Sequence, residues 1–405
     1  MMIRFSTFAV IFVLLILNTR SFAQPGKQSA TGYQVAAYYF ADYHIDKRNE
    51  EYRGKGWTEW ELVRAARPRF KGHEQPRVPL WGYTDEADPK QMAQKIEAAA
   101  SHGIDAFIFD WYYYDNGQFL ERGLEQGFMK AKNNKLMKFG LMWANHDWLD
   151  LHPATHGKIQ KLMYPGKITP KTWDKMTDFI IAKYFKHPAY WKINGCPYFS
   201  VYDLSNFIGS FGSMEKAAKA ISDFRAKTQK AGFKDLHINA VVWGNTILPN
   251  EKTITAPEKL IESLKFNSVT DYVWIHHVVL NNFPANSYDS VKTEYFKYAL
   301  SVSKMFKIPY YPNVSMGWDS SPRTDQEKPW GNFGYPYTPI ITGNTPGNFK
   351  NALLESKAFM DTHLKGTKVL TINSWNEWTE GSYLEPDTVN KFGYLNAIKD
   401  VFYNK

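Results

Sequence analysis

Cysteine is almost absent from this sequence of 405 residues, in which Cys196 is the only one. A disulfide within the chain is therefore impossible, even in a compartment that would permit one. We expect Cys196 to be a small buried side chain in a strand and not a nucleophile. With 44% hydrophobic and 16% aromatic residues, the chain has ample material for a large packed core.

Apolar runs long enough to cross a bilayer are also missing. The run over residues 8–17 has ten residues, about half of the roughly 20 that a spanning helix needs. It follows Arg4 and precedes Ser21-Phe22-Ala23, whose small first and third residues match a signal-peptidase site. We predict that residues 1–23 are a signal peptide and that 24–405 form the mature domain. The protein is then exported, to the periplasm or the extracellular space, without stable membrane insertion.

A basic run of the kind that binds nucleic acid is missing too. The formal net charge is +9, but the lysines and arginines are scattered among acids instead of clustered. We therefore expect no nucleic-acid partner, whereas an anionic polysaccharide remains compatible with the positive charge.

The chain does have a regular alternation of strand-like and helix-like segments. Runs rich in Val, Ile, Phe or Tyr predict eight strands, and amphipathic segments between them predict helices. This order predicts a single α/β domain, a (β/α)8 TIM barrel with long β-to-α loops. The predicted strands are 34–40, 104–112, 138–143, 197–202, 237–243, 271–276, 309–315 and 368–374. The predicted helices are 89–102, 170–184, 214–231, 290–306 and 348–364.

Polar and aromatic side chains gather in the segments after the predicted strands, where such a barrel has its active face. Aromatic rings offer flat apolar faces, and carboxylates, amides and imidazoles can hydrogen-bond hydroxyl groups, so the mixture suits a sugar. Any single aromatic residue at a strand end could equally serve packing. The predicted substrate-binding residues are Trp57, Glu59, Asp110, Tyr112, Trp143, Asn145, His146, Asp147, Tyr202, Trp243, His276, Trp318, Asp319, Arg323 and Trp375.

Two glutamates three residues apart, Glu377 and Glu380, follow the last predicted strand. Glycoside cleavage needs a carboxylic acid that protonates the leaving oxygen and a second carboxylate within about 5 to 10 Å. On a helix-like turn, residues with this spacing share one face, with Cβ atoms about 5–6 Å apart. Mutual repulsion and the neighbouring Trp375 and Trp378 would raise the pKa of one acid, as a general acid requires. The spacing is equally compatible with an exposed acidic turn paired with lysine or arginine.

Longer strings carry a resemblance to a known family. They are GKGWTEWELVRAARPRFKGHEQPRVPL (54–80), GIDAFIFDWYYYDNG (103–117), WANHDW (143–148), GWDSSPR (317–323) and NSWNEWTEGSYLEP (373–386). In this order, over nearly the whole mature chain, the sequence resembles the glycoside hydrolase family 99-like proteins, which include the WbsX-type proteins often labelled glycosyltransferases. The resemblance implies a (β/α)8 barrel and, by the characterised hydrolase branch, retaining cleavage of α-mannosidic bonds inside a chain.

By the same resemblance, an E-W-x-E-G motif carries both catalytic acids, and here it covers residues 377–381. Glu380 would act as general acid and then as base. Glu377 would deprotonate or polarise the sugar 2-hydroxyl, which itself attacks the anomeric carbon and gives an anhydro-sugar intermediate. Because no covalent adduct with the enzyme forms, the two acids can sit on one turn instead of facing each other across a cleft.

The chain departs from the family pattern after its third strand. WbsX-type proteins usually have Trp-Ala-Asn-Glu, whereas this chain has His146 in place of the glutamate, followed by Asp147. Asp147 could reach the same place. His146 is open to two interpretations, contact with a sulfate or carboxylate of the substrate or an ordinary hydrogen-bonded loop histidine.

Metal or cofactor chemistry is not expected. His276 and His277 are neighbours, so on a strand only one of them could face the site. No H-x-x-H or comparable acid spacing supports them as metal ligands. We predict no catalytic metal and no cofactor.

These features together predict an exported, monomeric glycoside hydrolase that acts on α-linked, in the first place mannosidic, bonds of a polysaccharide or glycan. The alternatives are a WbsX-type glycosyltransferase in polysaccharide assembly and a non-catalytic carbohydrate-binding barrel. Nucleotide-sugar donors are cytoplasmic, and the sequence lacks a Gly-rich phosphate loop and an obvious D-x-D, which favours hydrolysis. The presence of both Glu377 and Glu380 favours catalysis over binding alone.

Overall fold

Parallel strands form a nearly closed barrel around the core. The computed structural model describes residues 32–403, so the predicted signal peptide lies outside the described residues. Nine parallel segments pair side by side. Tyr310–Tyr311 pairs with the strand Ser268–Thr270, and Asn313–Ser315 pairs with Lys368–Asn373. Because only Pro312 separates these two segments, they act as one interrupted strand that joins the two ends of the sheet.

Counted in this way, the barrel has eight strands in chain order. Ala36 of the first strand pairs with Ala106 of the second and with Thr371 of the eighth. The first and last strands of the barrel are therefore hydrogen-bonded neighbours. The strands are β1 Tyr33–Tyr39, β2 Ala106–Tyr114, β3 Lys138–Trp143, β4 Cys196–Val201, β5 His237–Val241, β6 Ser268–Thr270, β7 Tyr310–Tyr311 with Asn313–Ser315, and β8 Lys368–Asn373. The predicted (β/α)8 barrel is confirmed.

Ten α-helices occur among residues 32–403. Several begin at the predicted residues because a capping side chain accepts an N–H of the first turn, as Asp88, Thr169 and Ser213 do. The helices are α1 Lys47–Arg53, α2 Trp60–Ala65, α3 Pro89–Ser101, α4 Pro170–Ile180, α5 Leu204–Phe211, α6 Met214–Lys230, α7 Pro257–Ser263, α8 Tyr288–Met305, α9 Pro346–His363 and α10 Gly393–Phe402.

Short helical turns and short strand pairs lie outside the barrel strands and the α-helices. Single turns of π-helix cover Gly123–Phe128 and Ile181–Phe185, and 3-10 turns cover Asn134–Leu136, Trp274–His276, Ser321–Arg323 and Trp378–Glu380. Gly117–Phe119 and Lys192–Ile193 pair antiparallel with β2 and β4. Three further short pairs join Trp148–Leu149 to Leu162–Tyr164, Ala285–Ser287 to Ile340–Thr342, and Asn376–Glu377 to Ser382–Tyr383.

The predicted sixth strand, 271–276, is wrong. β6 is the three residues Ser268–Thr270, and part of the predicted strand is a 3-10 turn. The apolar residues that imitate a strand are buried for another reason, since Trp274 packs against Tyr288 and Tyr295. Cys196 is the first residue of β4, as predicted for a strand residue. It is only half-buried, so the prediction that it is a buried side chain is wrong.

No helix of residues 32–403 combines the length and the apolar character that crossing a bilayer requires.

Candidate active site

A cleft with about 720 Å³ of empty space, part of it open to solvent, lies at the carboxyl ends of the barrel strands. Most of the predicted site residues meet there, although they are far apart in the chain. Those that line the cleft are Asp110, Tyr112, His146, Asp147, Tyr202, His276, Trp318, Arg323, Glu377 and Glu380. Both glutamates are buried, with 3% and 5% of their surface exposed, so the open acidic turn considered above does not form.

A tight loop after β8 presents the two acids. Asn376–Glu377 pairs antiparallel with Ser382–Tyr383, and the 3-10 turn Trp378–Glu380 lies between the two strands. The turn closes at Gly381, whose φ of +62° favours glycine, and a Cβ there would lie 2.8 Å from Cβ of Asp319. Trp378 stacks on Tyr383 with ring centroids 3.7 Å apart. The helix-like turn expected at residues 377–380 is therefore present and is held on both sides.

One arginine joins the two acids. Nη2 of Arg323 donates to Oε2 of Glu377 at 3.1 Å, and Nη1 donates to Oε1 of Glu380. Carboxylates that share one guanidinium are held at a fixed separation, because the donor groups of the planar fork cannot move independently.

Two tyrosines complete the polar contacts of the pair. The hydroxyl of Tyr335 donates to Oε1 of Glu380 at 2.9 Å. The hydroxyl of Tyr272 lies 2.8 Å from Oδ2 of Asp110 and 3.3 Å from Oε1 of Glu377. Each glutamate therefore has its own tyrosine in addition to the shared arginine.

Burial disfavours the charged form of several carboxyl groups in the site. Burial and the charge of Glu380 raise the pKa of Glu377 well above its usual range, against the opposing effect of Arg323. Burial also raises the pKa of Glu380, while Arg323 and the Tyr335 hydrogen bond oppose the rise. Burial raises the pKa of Asp110 well above its usual range. Burial and the repulsion between the two glutamates thus disfavour the state in which both are ionised.

His146 and Asp147 both line the cleft. Nδ1 of His146 lies 3.0 Å from the carbonyl oxygen of Asp147, and burial lowers the pKa of the imidazole, which favours its neutral form. The Asp147 carboxylate already accepts the N–H of Gly166 at 2.8 Å and Nδ2 of Asn250 at 2.9 Å. Asp147 thus links its own loop to two other segments through hydrogen bonds. It is the residue after position 146, where the family resemblance led us to expect a glutamate.

Three predicted polar residues lie outside the cleft lining and bond to the protein. Asn145 accepts the N–H of Asp203 at 2.8 Å and donates to its carbonyl oxygen at 2.7 Å. Asp319 accepts from Gln75 at 2.7 Å and lies 2.7 Å from Nε2 of His73. Glu59 is fully buried against Arg323. Asn145 and Asp319 hold neighbouring loops, and Glu59 holds Arg323. These contacts within the protein differ from the contact with substrate that was predicted for the three residues.

Four predicted tryptophans also lie outside the cleft lining. Trp143 and Trp375 are fully buried, the first against Trp173 and the second against Phe107. A further pair packs beside the site: Trp57 lies under the guanidinium of Arg53, and Trp243 packs against Tyr202 and His276.

Sequence reasoning missed several residues of the cleft. Tyr272, Tyr335, Trp148 and His152 line it, and Tyr272 and Tyr335 touch the glutamates. Trp148 and Tyr335 lie within the quoted strings or the long loops expected to form the site, but nothing in their local sequence distinguishes them from other aromatics. Aliphatic side chains of two loops supply the rest of the wall, among them Leu149, Leu151, Ile247 and Leu248.

His276 lies in the wall of the cleft. It is buried, and neither ring nitrogen has a hydrogen-bond partner in the described part of the chain. Its Nε2 lies 3.6 Å from Oε2 of Glu251, whose carboxylate also accepts the N–H groups of Ile247 and Leu248. Over residues 32–403, no group of three or more His, Cys, Asp or Glu side chains is placed to hold a metal ion.

Comparisons with known proteins agree on a family and a fold. The family model described as "Glycosyltransferase WbsX" matches residues 35–398. The "Uncharacterized protein WxcX" of Xanthomonas campestris pv. campestris is 24% identical over 384 residues, which cover 94% of this chain and 50% of the relative. The chain therefore spans about half the length of the curated relatives it matches.

Solved structures with the same fold include two glycoside hydrolase-like proteins. The GH99 endo-alpha-mannosidase from Bacteroides thetaiotaomicron superposes with a TM-score of 0.51 at 15% identity, covering 91% of this chain and 96% of the other. A "Glycoside hydrolase-like protein" superposes with a TM-score of 0.57 at 13% identity, covering 95% and 98%. At these identities the likeness establishes the barrel and not the reaction.

Proposed function

The chain belongs to the family described as glycosyltransferase WbsX, and we propose that it is a glycoside hydrolase that cleaves α-linked bonds in a polysaccharide or glycan with retention of configuration. The observation that carries the proposal is the buried pair Glu377 and Glu380, joined by Arg323 in the wall of the cleft. A pair of carboxyl groups with raised pKa values in a partly apolar cleft suits acid-base chemistry at a glycosidic bond.

In the first step of the proposed reaction, the oxygen of the sugar 2-hydroxyl attacks the anomeric carbon and the bond to the leaving oxygen breaks. Glu377 takes the proton of the 2-hydroxyl, and Glu380 gives its proton to the leaving oxygen. In the second step, water opens the anhydro ring: Glu380 takes a proton from the water, and Glu377 returns its proton to the 2-oxygen. Both acids end in their starting states.

The proposed roles of the two acids determine which of them must carry a proton. Burial raises the pKa of both, and Glu380 has Tyr335 as an additional donor that opposes the rise. The proposed first step requires a neutral Glu380 and an ionised Glu377. The proton must therefore lie on Glu380 once the sugar is bound.

The expected substrate follows from the resemblance and from the wall of the cleft. Its aromatic side chains, Tyr112, Trp148 and Trp318 among them, suit the apolar faces of sugar rings. The endo-alpha-mannosidase with the same fold makes an α-mannoside the first candidate. Export to the periplasm or outside the cell, and a monomeric state, are parts of the same proposal.

The second candidate function is glycosyl transfer, which the family description favours. It predicts elongation of an acceptor by a nucleotide-sugar donor. A non-catalytic carbohydrate-binding barrel predicts neither reaction, and the burial of an acid pair at raised pKa values favours catalysis over that alternative.

The test is a substrate panel with product analysis. Purified protein is incubated with α-mannans, rhamnose-containing glycans and sulfated glycans, and separately with nucleotide sugars plus acceptor oligosaccharides. We expect new reducing ends from one glycan class, in the α configuration when sampled early, and loss of this activity in E377Q and E380Q. Elongation of an acceptor that depends on a nucleotide sugar would show that the protein is a glycosyltransferase and not a hydrolase. Release of reducing ends by both E377Q and E380Q would show that these glutamates are not the catalytic acids.

A further inference from the structure

We infer that Glu59 is a positioning residue, the permanent counterion that holds the Arg323 guanidinium in the orientation from which it reaches both Glu377 and Glu380. The inference rests on the proposed function, in which those two glutamates are the reacting acids. Glu59 itself lies outside the cleft lining and is fully buried. It therefore acts through Arg323 and not on the sugar.

The contacts of Arg323 divide between two edges of its guanidinium. On one edge, Nε and Nη2 both donate to Oε1 of Glu59, at 3.0 and 2.8 Å. The remaining donors reach Glu377 and Glu380. Because the guanidinium is planar and its donors have a fixed geometry, holding one edge determines where the other donors point.

Glu59 is itself held from several sides. It precedes the first residue of α2, and its N–H donates to the carbonyl oxygen of Asp42 at 3.1 Å. The hydroxyl of Thr379, which lies between the two candidate acids in the chain, donates to the same Oε1 that binds Arg323. The loop that carries the reacting acids and the segment that carries their counterion are thus joined directly.

The charges around Glu59 are consistent with a lasting ion pair. Burial alone would raise its pKa, but Arg323 and His152 and hydrogen bonds from Thr379 and Asp42 outweigh burial and lower the pKa to about 2. Burial and the charge of Glu59 raise the pKa of Asp42 well above its usual range. Burial and the neighbouring Glu59 thus disfavour the charged form of Asp42.

A dedicated counterion matters because one arginine serves three glutamates. If Glu59 carried no charge, only Glu377 and Glu380 would compensate the buried cation, and both would be drawn toward their ionised forms. A general acid in that state has lost its proton. With Glu59 ionised, the charge of Arg323 is already matched, and the reacting pair can keep the proton that the first step consumes.

The direction of the effect on pH dependence follows from these charges. The titratable and charged groups that face the acid pair are Arg323, Tyr335, Glu59, Asp110, Tyr43, Tyr112, Tyr272, Tyr202 and His276. The negative charge of Glu59 raises the pKa of both Glu377 and Glu380. Its removal should therefore lower both values, so both limbs of the pH profile of kcat/KM move to lower pH.

The test compares two substitutions that separate charge from shape. Glu59→Gln keeps the shape and removes the charge, and Glu59→Asp keeps the charge and shortens the side chain. We expect both limbs to move down by about one pH unit in E59Q. In E59D we expect limbs within a few tenths of a unit of wild type, with kcat lowered about tenfold or more because Arg323 is displaced. The matched control is Glu61→Gln, at an exposed acid of α2 that pairs with Arg64, and it should leave the profile unchanged.

If the role of Glu59 were purely structural, the pH profile would depend on the shape of the side chain and not on its charge. The isosteric E59Q would then keep the wild-type profile, and that result would overturn the inference. If E59Q does not fold, E59D alone decides, because limbs displaced by a full unit with the charge retained would contradict a counterion role.

A measurement without substrate separates this inference from the proposed function. The carboxyl carbons of Glu377 and Glu380 can be titrated by 13C NMR, with signals assigned from E377Q and E380Q. Lower pKa values for both residues in E59Q support the role of Glu59 even if no tested glycan is cleaved, and unchanged values refute it even if hydrolysis is observed.

Discussion

Asn376 clasps the backbone of Phe40 on both sides: its Nδ2 donates to the carbonyl oxygen at 2.6 Å, and its Oδ1 accepts the N–H at 2.9 Å. The clasp joins the loop after β8 to the residue that follows β1, where the barrel closes. Glu377 is the next residue in the chain, so the position of this acid depends directly on the clasp.

Replacement of Asn376 by alanine should therefore affect stability and activity together. The substitution leaves a buried N–H and a buried carbonyl group without partners, which costs about 1–3 kcal/mol per group. We expect a lower free energy of unfolding in urea and a lower kcat. Asn281→Ala, at an exposed asparagine, is the control and should stay within about 0.5 kcal/mol of wild type. Full activity in a destabilised N376A would show that the clasp does not position Glu377.

Tyr112→Phe should weaken sugar binding without lowering stability. Tyr112 lines the cleft, and its ring meets His146 and Trp148 edge to face at 5.7 and 5.2 Å. The substitution keeps these ring contacts and removes only the hydroxyl, worth about 0.5–1.5 kcal/mol in a hydrogen bond, or a twofold to tenfold rise in KM. Tyr113→Phe, outside the cleft lining, should change neither KM nor the melting temperature. Equal KM values for Y112F and wild type would remove Tyr112 from the binding site.

Two nearby tryptophans should respond in opposite ways to replacement by phenylalanine. Trp143 packs against Trp173 and donates to the carbonyl oxygen of Tyr113 at 3.1 Å, so W143F should lose about 1–3 kcal/mol of stability with unchanged KM. Trp148 lines the cleft and stacks on His146, so W148F should raise KM. Urea unfolding and substrate kinetics on both variants check this, and a raised KM in W143F would restore its predicted contact with substrate.

Stability should depend on pH through Asp203, which caps α5. Burial raises the pKa of this carboxyl from its ordinary value of 3.8 to about 7. The folded protein thus keeps a proton that the unfolded chain has released, and stability falls as pH rises between these two values. The slope is about 1.4 kcal/mol per pH unit. Asp203→Asn keeps a capping side chain without this titration, so the difference in unfolding free energy between wild type and D203N should fall with that slope.

The matched control for this pH effect is Asp223→Asn, at an exposed aspartate that pairs with Lys219. Its unfolding free energy should stay within about 1 kcal/mol of wild type, as expected for an exposed ion pair. A pH-independent difference between wild type and D203N would contradict a raised pKa for Asp203.

The barrel was predictable because its signals are local. Each strand except β6 is a clear apolar run, and side chains such as Asp88 and Ser213 mark helix starts by capping them. β6 has only three residues, and the more apolar segment around Trp274 follows it, so the pattern indicates the wrong residues. A short run of apolar residues is expected both in a buried loop and in a buried strand, so the pattern alone cannot separate the two.

The site was predictable only in part because its contacts are distant in sequence. The spacing of Glu377 and Glu380 marks them as candidate acids, but the chain has 25 tyrosines, and nothing distinguishes Tyr272 and Tyr335 before the loops are placed. Asn145 and Asp319 illustrate the opposite error. They follow strands as binding residues do, yet their polar groups hold neighbouring segments together.

The most direct test of the central claim is the hydrolysis rate of E380Q on the best substrate from the panel, measured together with its dissociation constant. The account predicts a fall in kcat of at least about 100-fold, with binding within a few fold of wild type, since glutamine keeps the shape and loses the transferable proton. Turnover of E380Q at the wild-type rate would contradict it.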